Sequence, residues 1–219
     1  MEQIMKEIET YFIDENKEEA VLYIMNKLRT KEIDVLDLYT NILTPLLTDM
    51  TCKLEDKRIC IWKEHVRTGI ARTIVESCYP FILEKRDSLK LPYRGVAAVL
   101  CPSDEYHDMG ARMVADFLTV VGYHTIFAGC NTPYRDFHNA IHIIKPDLVA
   151  ISVSDYYNLV AAKKMIDEIK KTVSKSIKIV VGGHAFYYDE ANKLKMVGAD
   201  CYANTYDDIL KIAEDGVIL

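Results

Sequence analysis

Between Asp104 and Gly110 the chain reads D-E-Y-H-D-M-G, directly after the apolar run Val96-Ala97-Ala98-Val99-Leu100. The run reads as a buried strand, and the residues after Gly110 have helical spacing. That puts His107 on the loop at a strand's C-terminal end, where open α/β sheets bind ligands. A neutral imidazole there, with the Glu105 carboxylate two residues earlier to fix its tautomer, is suited to metal ligation. Asp104 and Asp108 flank the histidine and are expected as charges at a helix N-terminus, where anions are stabilised. Three more segments carry small or polar residues at strand ends: Ser152-Val153-Ser154, Gly182-Gly183 and Ala203-Asn204-Thr205. Each alone is an ordinary cap or turn.

The elements that must position these residues fall into two halves. Residues 1–88 read as wholly helical: Ile4, Ile8, Tyr11 and Phe12 keep a 3/4 spacing, as do Ala20, Ile24 and Leu28, then Leu36, Tyr39, Leu43, Leu46 and Leu47. No glycine occurs before Gly69, and the first proline is Pro45. Four or five helices are expected, with breaks near Asp14-Glu15-Asn16, at 31–34 and at 53–57. A polar stretch from Glu84 through Ser88 to Pro92 reads as the linker.

From Gly95 onward, β-rich runs at 95–100, 124–128, 147–152, 177–181 and 200–202 alternate with amphipathic helices at about 108–121, 134–143, 157–172, 188–196 and 206–214. Such alternation implies a parallel, doubly wound sheet over 89–219, because each parallel return needs a crossover. The loops bearing His107, Ser152, Gly182 and Asn204 should then converge on one rim. The expected fold is α/β, a four- to five-helix bundle followed by a flavodoxin-like (Rossmann-like) five-stranded parallel sheet.

Composition narrows the function. The net charge of −6 over 219 residues disfavours a phosphate-binding nucleic-acid surface. No apolar run approaches the roughly 18 residues that cross a bilayer, and the acidic start M-E-Q-I-M-K-E-I-E does not read as a signal peptide. The six cysteines form no C-x-x-C pair, so thiols in a reducing cytoplasm are expected rather than disulfides or a zinc site. The phosphate-binding patterns G-x-G-x-x-G and G-x-x-x-x-G-K are both missing, which leaves nucleotide binding as a fallback. His124, His138, His142 and His184 show no ligand-like spacing with each other.

The second half resembles the cobalamin-binding domain of corrinoid proteins, on three motifs in order. These are Glu105-Tyr106-His107-Asp108-Met109-Gly110 against the pattern D-x-H-x-x-G, Ser152-Val153-Ser154 after the third strand, and Gly182-Gly183 after the fourth. The resemblance implies a cobalamin, as adenosylcobalamin or methylcobalamin, whose dimethylbenzimidazole leaves cobalt and inserts beside the sheet. It implies His107 as lower axial ligand, with Glu105 in place of the family's aspartate holding the other imidazole nitrogen, directly or through water. Gly110, Ser152 and Ser154, and Gly182 with Gly183, would line the cleft for the nucleotide tail, with Ala203 and Asn204 at its end. His184 could also touch the cofactor.

The first half resembles the four-helix domain of corrinoid methyl carriers and, more closely, that of light- and cobalamin-responsive regulators. The latter carry a tryptophan, nine residues and then Glu-His above the corrin. Here Glu64-His65 is present, with Thr68 and Arg72 following, but the tryptophan position is Leu54 and the next residue is Glu55. Trp62, the only tryptophan, is expected in the core, a corrin cap being the other reading. The resemblance implies a cobalamin bound between the helical and α/β halves. Two roles follow. One is a cobalamin-dependent sensor, responsive to light or to cobalamin alone, acting through a protein partner, without direct DNA contact, as a monomer or a homo-oligomer. The other is a corrinoid methyl carrier, whose cobalt(I) is the nucleophile and whose His107 leaves and returns. A mutase would need a separate barrel chain, and no catalysis is expected from this chain alone: Glu64 and His65 are helix neighbours that point apart.

Overall fold

A computed structural model describes residues 1–49, 57–172 and 176–215. The chain divides into two compact units, Met1–Lys85 and Arg86–Leu219.

In the first unit, α1 (Glu2–Ile13) and α2 (Lys17–Arg29) are separated at the acidic turn read from the sequence. Asn16 caps α2 by accepting from the Glu19 N–H at 3.3 Å. α3 (Val35–Asp37), capped by Asp34, runs through a π-helical stretch at Leu38–Leu43 into α4 (Thr44–Asp49). The wide turn sits just before Pro45, whose ring clashes with the carbonyl four residues back and which has no N–H to offer the regular ladder. The Thr44 N–H and hydroxyl both donate to the Tyr39 carbonyl, the hydroxyl at 2.8 Å. α5 (Lys57–Ser77) and α6 (Tyr79–Leu89) follow. The core collects Ile8, Phe12, Ile24, Tyr39, Ile42, Leu43, Ile70, Ile74 and Ile82, all fully buried. The spacing of the apolar positions had marked most of them. Trp62 corrects the expectation of a core role, being 66% exposed on α5.

Glu84–Ser88, read as a linker, is instead the end of α6. Glu, Lys and Arg are good helix formers, and nothing stops the helix before Lys90, which takes a left-handed φ of 51°.

The second unit is the expected α/β fold. Strands β1 (Val96–Leu100), β2 (His124–Gly129), β3 (Leu148–Ser152), β4 (Lys178–Gly182) and β5 (Cys201–Tyr202) form a five-stranded sheet in the order β2-β1-β3-β4-β5, every described pair parallel. The helices are α7 (Met109–Val120), α8 (Tyr134–Ile144), α9 (Leu159–Thr172), α10 (Glu190–Val197) and α11 (Tyr206–Asp215). Ala98, Leu100, Val149, Ile151, Ile179 and Val181 pack one sheet face against α8, α9 and Val197 of α10. Alternation turns Ala97, Val99, Ala150 and Val180 to the other face, and there Phe117 of α7 meets Tyr206 of α11 edge-on at 5.4 Å. On α7 the buried Arg112 and Asp116 pair at 2.6 Å.

Because β2 lies on one side of β1 and β3 on the other, the strand order reverses between β1 and β3. The carboxyl ends of those two strands flank the crevice that this topology opens.

No described helix is long and apolar enough to cross a membrane. Cys78, Cys101, Cys130 and Cys201 are not joined in disulfides. Cys60 is disulfide-bonded, which departs from the all-thiol expectation.

Candidate functional site

β1 runs fully buried to Leu100 and Cys101, and the chain then turns at Asp104, whose φ of 66° is left-handed. This turn is held from the next loop: Asn131 Oδ1 accepts from the Asp104 N–H at 2.9 Å, and the Asn131 N–H donates to the Glu105 carbonyl at 2.8 Å. The turn sends the Glu105 side chain inward and His107 outward, with side-chain exposures of 0% and 71%.

Glu105 is the hub. Its Oε1 accepts from the His107 N–H at 3.0 Å and lies 2.8 Å from His107 Nδ1. Its Oε2 accepts from the Ser154 and Asp155 N–H groups, both at 2.8 Å, and from Asn158 Nδ2 at 3.1 Å. Asn158 also donates to the Asp104 carbonyl at 3.2 Å, so the loops after β1 and β3 are sewn together. Burial pushes the Glu105 carboxyl up, but hydrogen bonds from the Asp155 and His107 N–H groups, the Asn158 amide and the His107 ring outweigh it and hold the group below its ordinary value.

An ionised carboxylate only accepts, so Nδ1 carries a proton, and in the neutral imidazole Nε2 is then the nitrogen with the lone pair. No described residue bonds Nε2 on this exposed ring. Nearby, burial and the charges of Asp108 and Glu105 push the Cys101 thiol up to about 12. That sulfur stays protonated and does not compete as a ligand.

The remaining predicted residues divide. Tyr106 is exposed, Asp108 is the buried N-cap of α7 without a side-chain capping bond, and Met109 is buried in the first turn. A Cβ on Gly110 would meet nothing within 4 Å, so open space lies beside the first turn of α7. Ser152, half-buried, ends β3 opposite Gly182, and Ser154 contributes its backbone N–H to Glu105.

Gly182 and Gly183 have a reason of their own. A Cβ on Gly182 would lie 2.5 Å from the Ala203 carbonyl oxygen, and one on Gly183, whose φ is +100°, would lie 2.4 Å from that of Val153. The chain's own backbone is what excludes a side chain there. Ala203 is buried and Asn204 exposed, the latter on a turn closed by Asp208, which accepts from the Asn204 and Thr205 N–H groups. His184 is exposed and tilted against Tyr187 at 5.1 Å.

Glu64 and His65 are exposed on α5, in the other unit. Leu54 and Glu55 lie outside the described residues.

Sequence reasoning missed Asn158 and the Ser154 and Asp155 N–H donors. Asp155 gave the available signal: it reads as an N-cap, and its side chain accepts from the Tyr157 N–H at 2.9 Å to shape the turn that presents Asn158.

The site fits a corrinoid in its donor chemistry. It offers one outward imidazole nitrogen, a ligand type that suits a borderline transition metal, oriented from behind by a buried carboxylate, with free space at Gly110.

A family model described as a B12 binding domain matches residues 95–212. The trimethylamine corrinoid protein of Methanosarcina barkeri is 28% identical over 127 residues, which are 58% of this chain and 57% of that protein. The HTH-type transcriptional repressor CarA of Myxococcus xanthus is 28% identical over 111 residues, 50% of this chain and 34% of the repressor. The chain thus matches little more than half the length of the first relative and a third of the second. Among solved structures, the Methanosarcina barkeri monomethylamine corrinoid protein superposes with a TM-score of 0.81 at 17% identity, covering 98% of both chains.

Proposed function

Because this chain belongs to the B12-binding domain family, cobalamin is its cofactor, and we propose that it serves as a corrinoid methyl carrier of a methyltransferase system, in which His107 would hold the cobalt. Bound cobalamin supplies a cobalt centre that accepts a methyl group and gives it up. The chain's own residues hold and orient. Glu105 keeps the proton on His107 Nδ1 and so presents Nε2 as a donor. Ser154, Asp155 and Asn158 fix Glu105 in turn. Gly110 leaves space at the head of α7; Ser152 and Gly182 end β3 and β4, and Ser154, Gly183, Ala203 and Asn204 follow β3, β4 and β5 at the carboxyl ends of the strands.

The observation that carries the reading is the Glu105–His107 pair at the β1/β3 switch point. Relatives named as methylamine corrinoid proteins support the carrier over the sensory role, and a methylated amine is the donor class their names suggest. The match to the repressor and the exposed Glu64-His65 pair favour the sensor as second reading.

One experiment separates them. The chain is reconstituted with methyl- and adenosylcobalamin, and spectra are recorded in the dark and after green light. Light-indifferent methyl transfer to an acceptor, given a partner methyltransferase, supports the carrier. A light-driven spectral change with altered oligomeric state sinks it in favour of the sensor.

A further inference from the structure

α8 leaves the cofactor rim and carries a second pair of imidazoles. His138 and His142 are one helical turn apart, at the i, i+4 spacing that brings side chains together on one helix face. The adjacent stripe, Phe137 and Ile141, is buried against the sheet, which leaves His138 half-buried and His142 exposed. The rings stand 5.3 Å apart between centroids at 80°. No described residue hydrogen-bonds either ring.

That separation has chemical meaning. Two imidazoles bound to one tetrahedral ion, with nitrogen–metal bonds of about 2.05 Å, have centroids about 5.2 Å apart. The 5.3 Å between the ring centroids matches the spacing that a shared metal requires.

The neighbours select the ion class. Arg135 lies one turn before His138 and Lys145, the C-cap of α8, one turn after His142, so the local field favours no hard cation. Arg135 itself turns to the Tyr134 hydroxyl at 3.1 Å. A borderline ion bound through nitrogen covalency, such as Zn2+ or Cu2+, tolerates that field where Mg2+ or Ca2+ does not. Among the described residues no group of three or more histidine, cysteine or acidic side chains could hold a metal, so water fills the remaining positions and the ion exchanges freely.

We propose that His138 and His142 form a two-histidine surface site for a borderline divalent transition-metal ion, on α8 and separate from His107. Both histidines fall on the one helix expected at 134–143, but sequence reasoning missed their i, i+4 pairing.

The test is titration of the full chain with Zn2+ by calorimetry, beside His138→Asn and His142→Asn variants. Expected is one equivalent bound by the parent, with affinity lowered roughly tenfold or more by either substitution. Cu2+ should give an electron paramagnetic spectrum with two-nitrogen coupling that falls to one in each variant. Both positions are off the core, and unchanged circular dichroism would establish that the variants fold. No Zn2+ binding by the parent, or equal affinity in parent and variants, overturns the site.

Discussion

Asn158 Nδ2 donates to Glu105 Oε2 across 3.1 Å, joining residues 53 apart in sequence, while the other oxygen of the same carboxylate faces His107 Nδ1 at 2.8 Å. The outward imidazole is therefore fixed from the far side of the strand-order reversal, by a loop none of whose described residues hydrogen-bonds the ring.

Asn158→Leu removes one donor and leaves the peptide N–H donors in place. A loss of about 1 kcal/mol in unfolding free energy is expected, with weaker or more heterogeneous histidine ligation in the spectrum of the cobalamin-loaded chain. A variant as stable as the parent, with an unchanged spectrum, would contradict the positioning role.

His107→Ala should abolish the His-on spectrum. The cobalt(II) form, studied by paramagnetic resonance, is expected to lose its protein-derived nitrogen coupling. Retention of that coupling would show another residue as the ligand.

Glu105→Gln replaces a fixed charge by an amide whose NH2 must face N–H donors, and a cost of about 1–3 kcal/mol is expected. The pH dependence has a definite sign. Since the folded carboxyl lies below its ordinary value of 4.5, its contribution is complete above that pH and is lost as the pH falls through the lower folded value. Denaturant melts from pH 7 downward should show the parent losing its advantage over Glu105→Gln below about 4.5; a constant gap between the two would argue against it.

Gly183→Ala puts a Cβ 2.4 Å from the Val153 carbonyl oxygen at a φ of +100°. The expected loss exceeds about 1 kcal/mol, with corrinoid affinity reduced because the loops after β3 and β4 must separate. Equal thermal midpoints would disprove the clash.

Asp116→Ala takes from the buried Arg112 guanidinium the carboxylate that pairs with it at 2.6 Å in the folded chain. Removing one side of a buried pair costs about 3–5 kcal/mol. Chemical denaturation measures it, and a change under 1 kcal/mol would show the pair to be wetter than its burial indicates.

Much of this architecture was readable because Val96–Leu100, Leu148–Ser152 and Lys178–Gly182 are short apolar runs bounded by turn residues, and the helices between them keep a 3.6 period. The loop histidine and its carboxylate were visible as neighbours in sequence. Asn158 was not, because its meaning depends on β3 lying beside β1, a fact of topology rather than local pattern. The end of α6 was misread since Glu84–Ser88 is polar, and polarity does not distinguish a solvated helix from a linker. The π-helical stretch at Leu38–Leu43 carries only the trace of Pro45.

Two of the groups that moor Glu105 on the β3 side are peptide N–H groups, from Ser154 and Asp155. Peptide donors have no side-chain identity to lose. Substitutions at those two positions that keep the path of the chain leave the anchor intact, so the loop is free to vary in chemistry where it meets whatever lies above the rim. Retuning of that surface is thereby uncoupled from the support beneath His107.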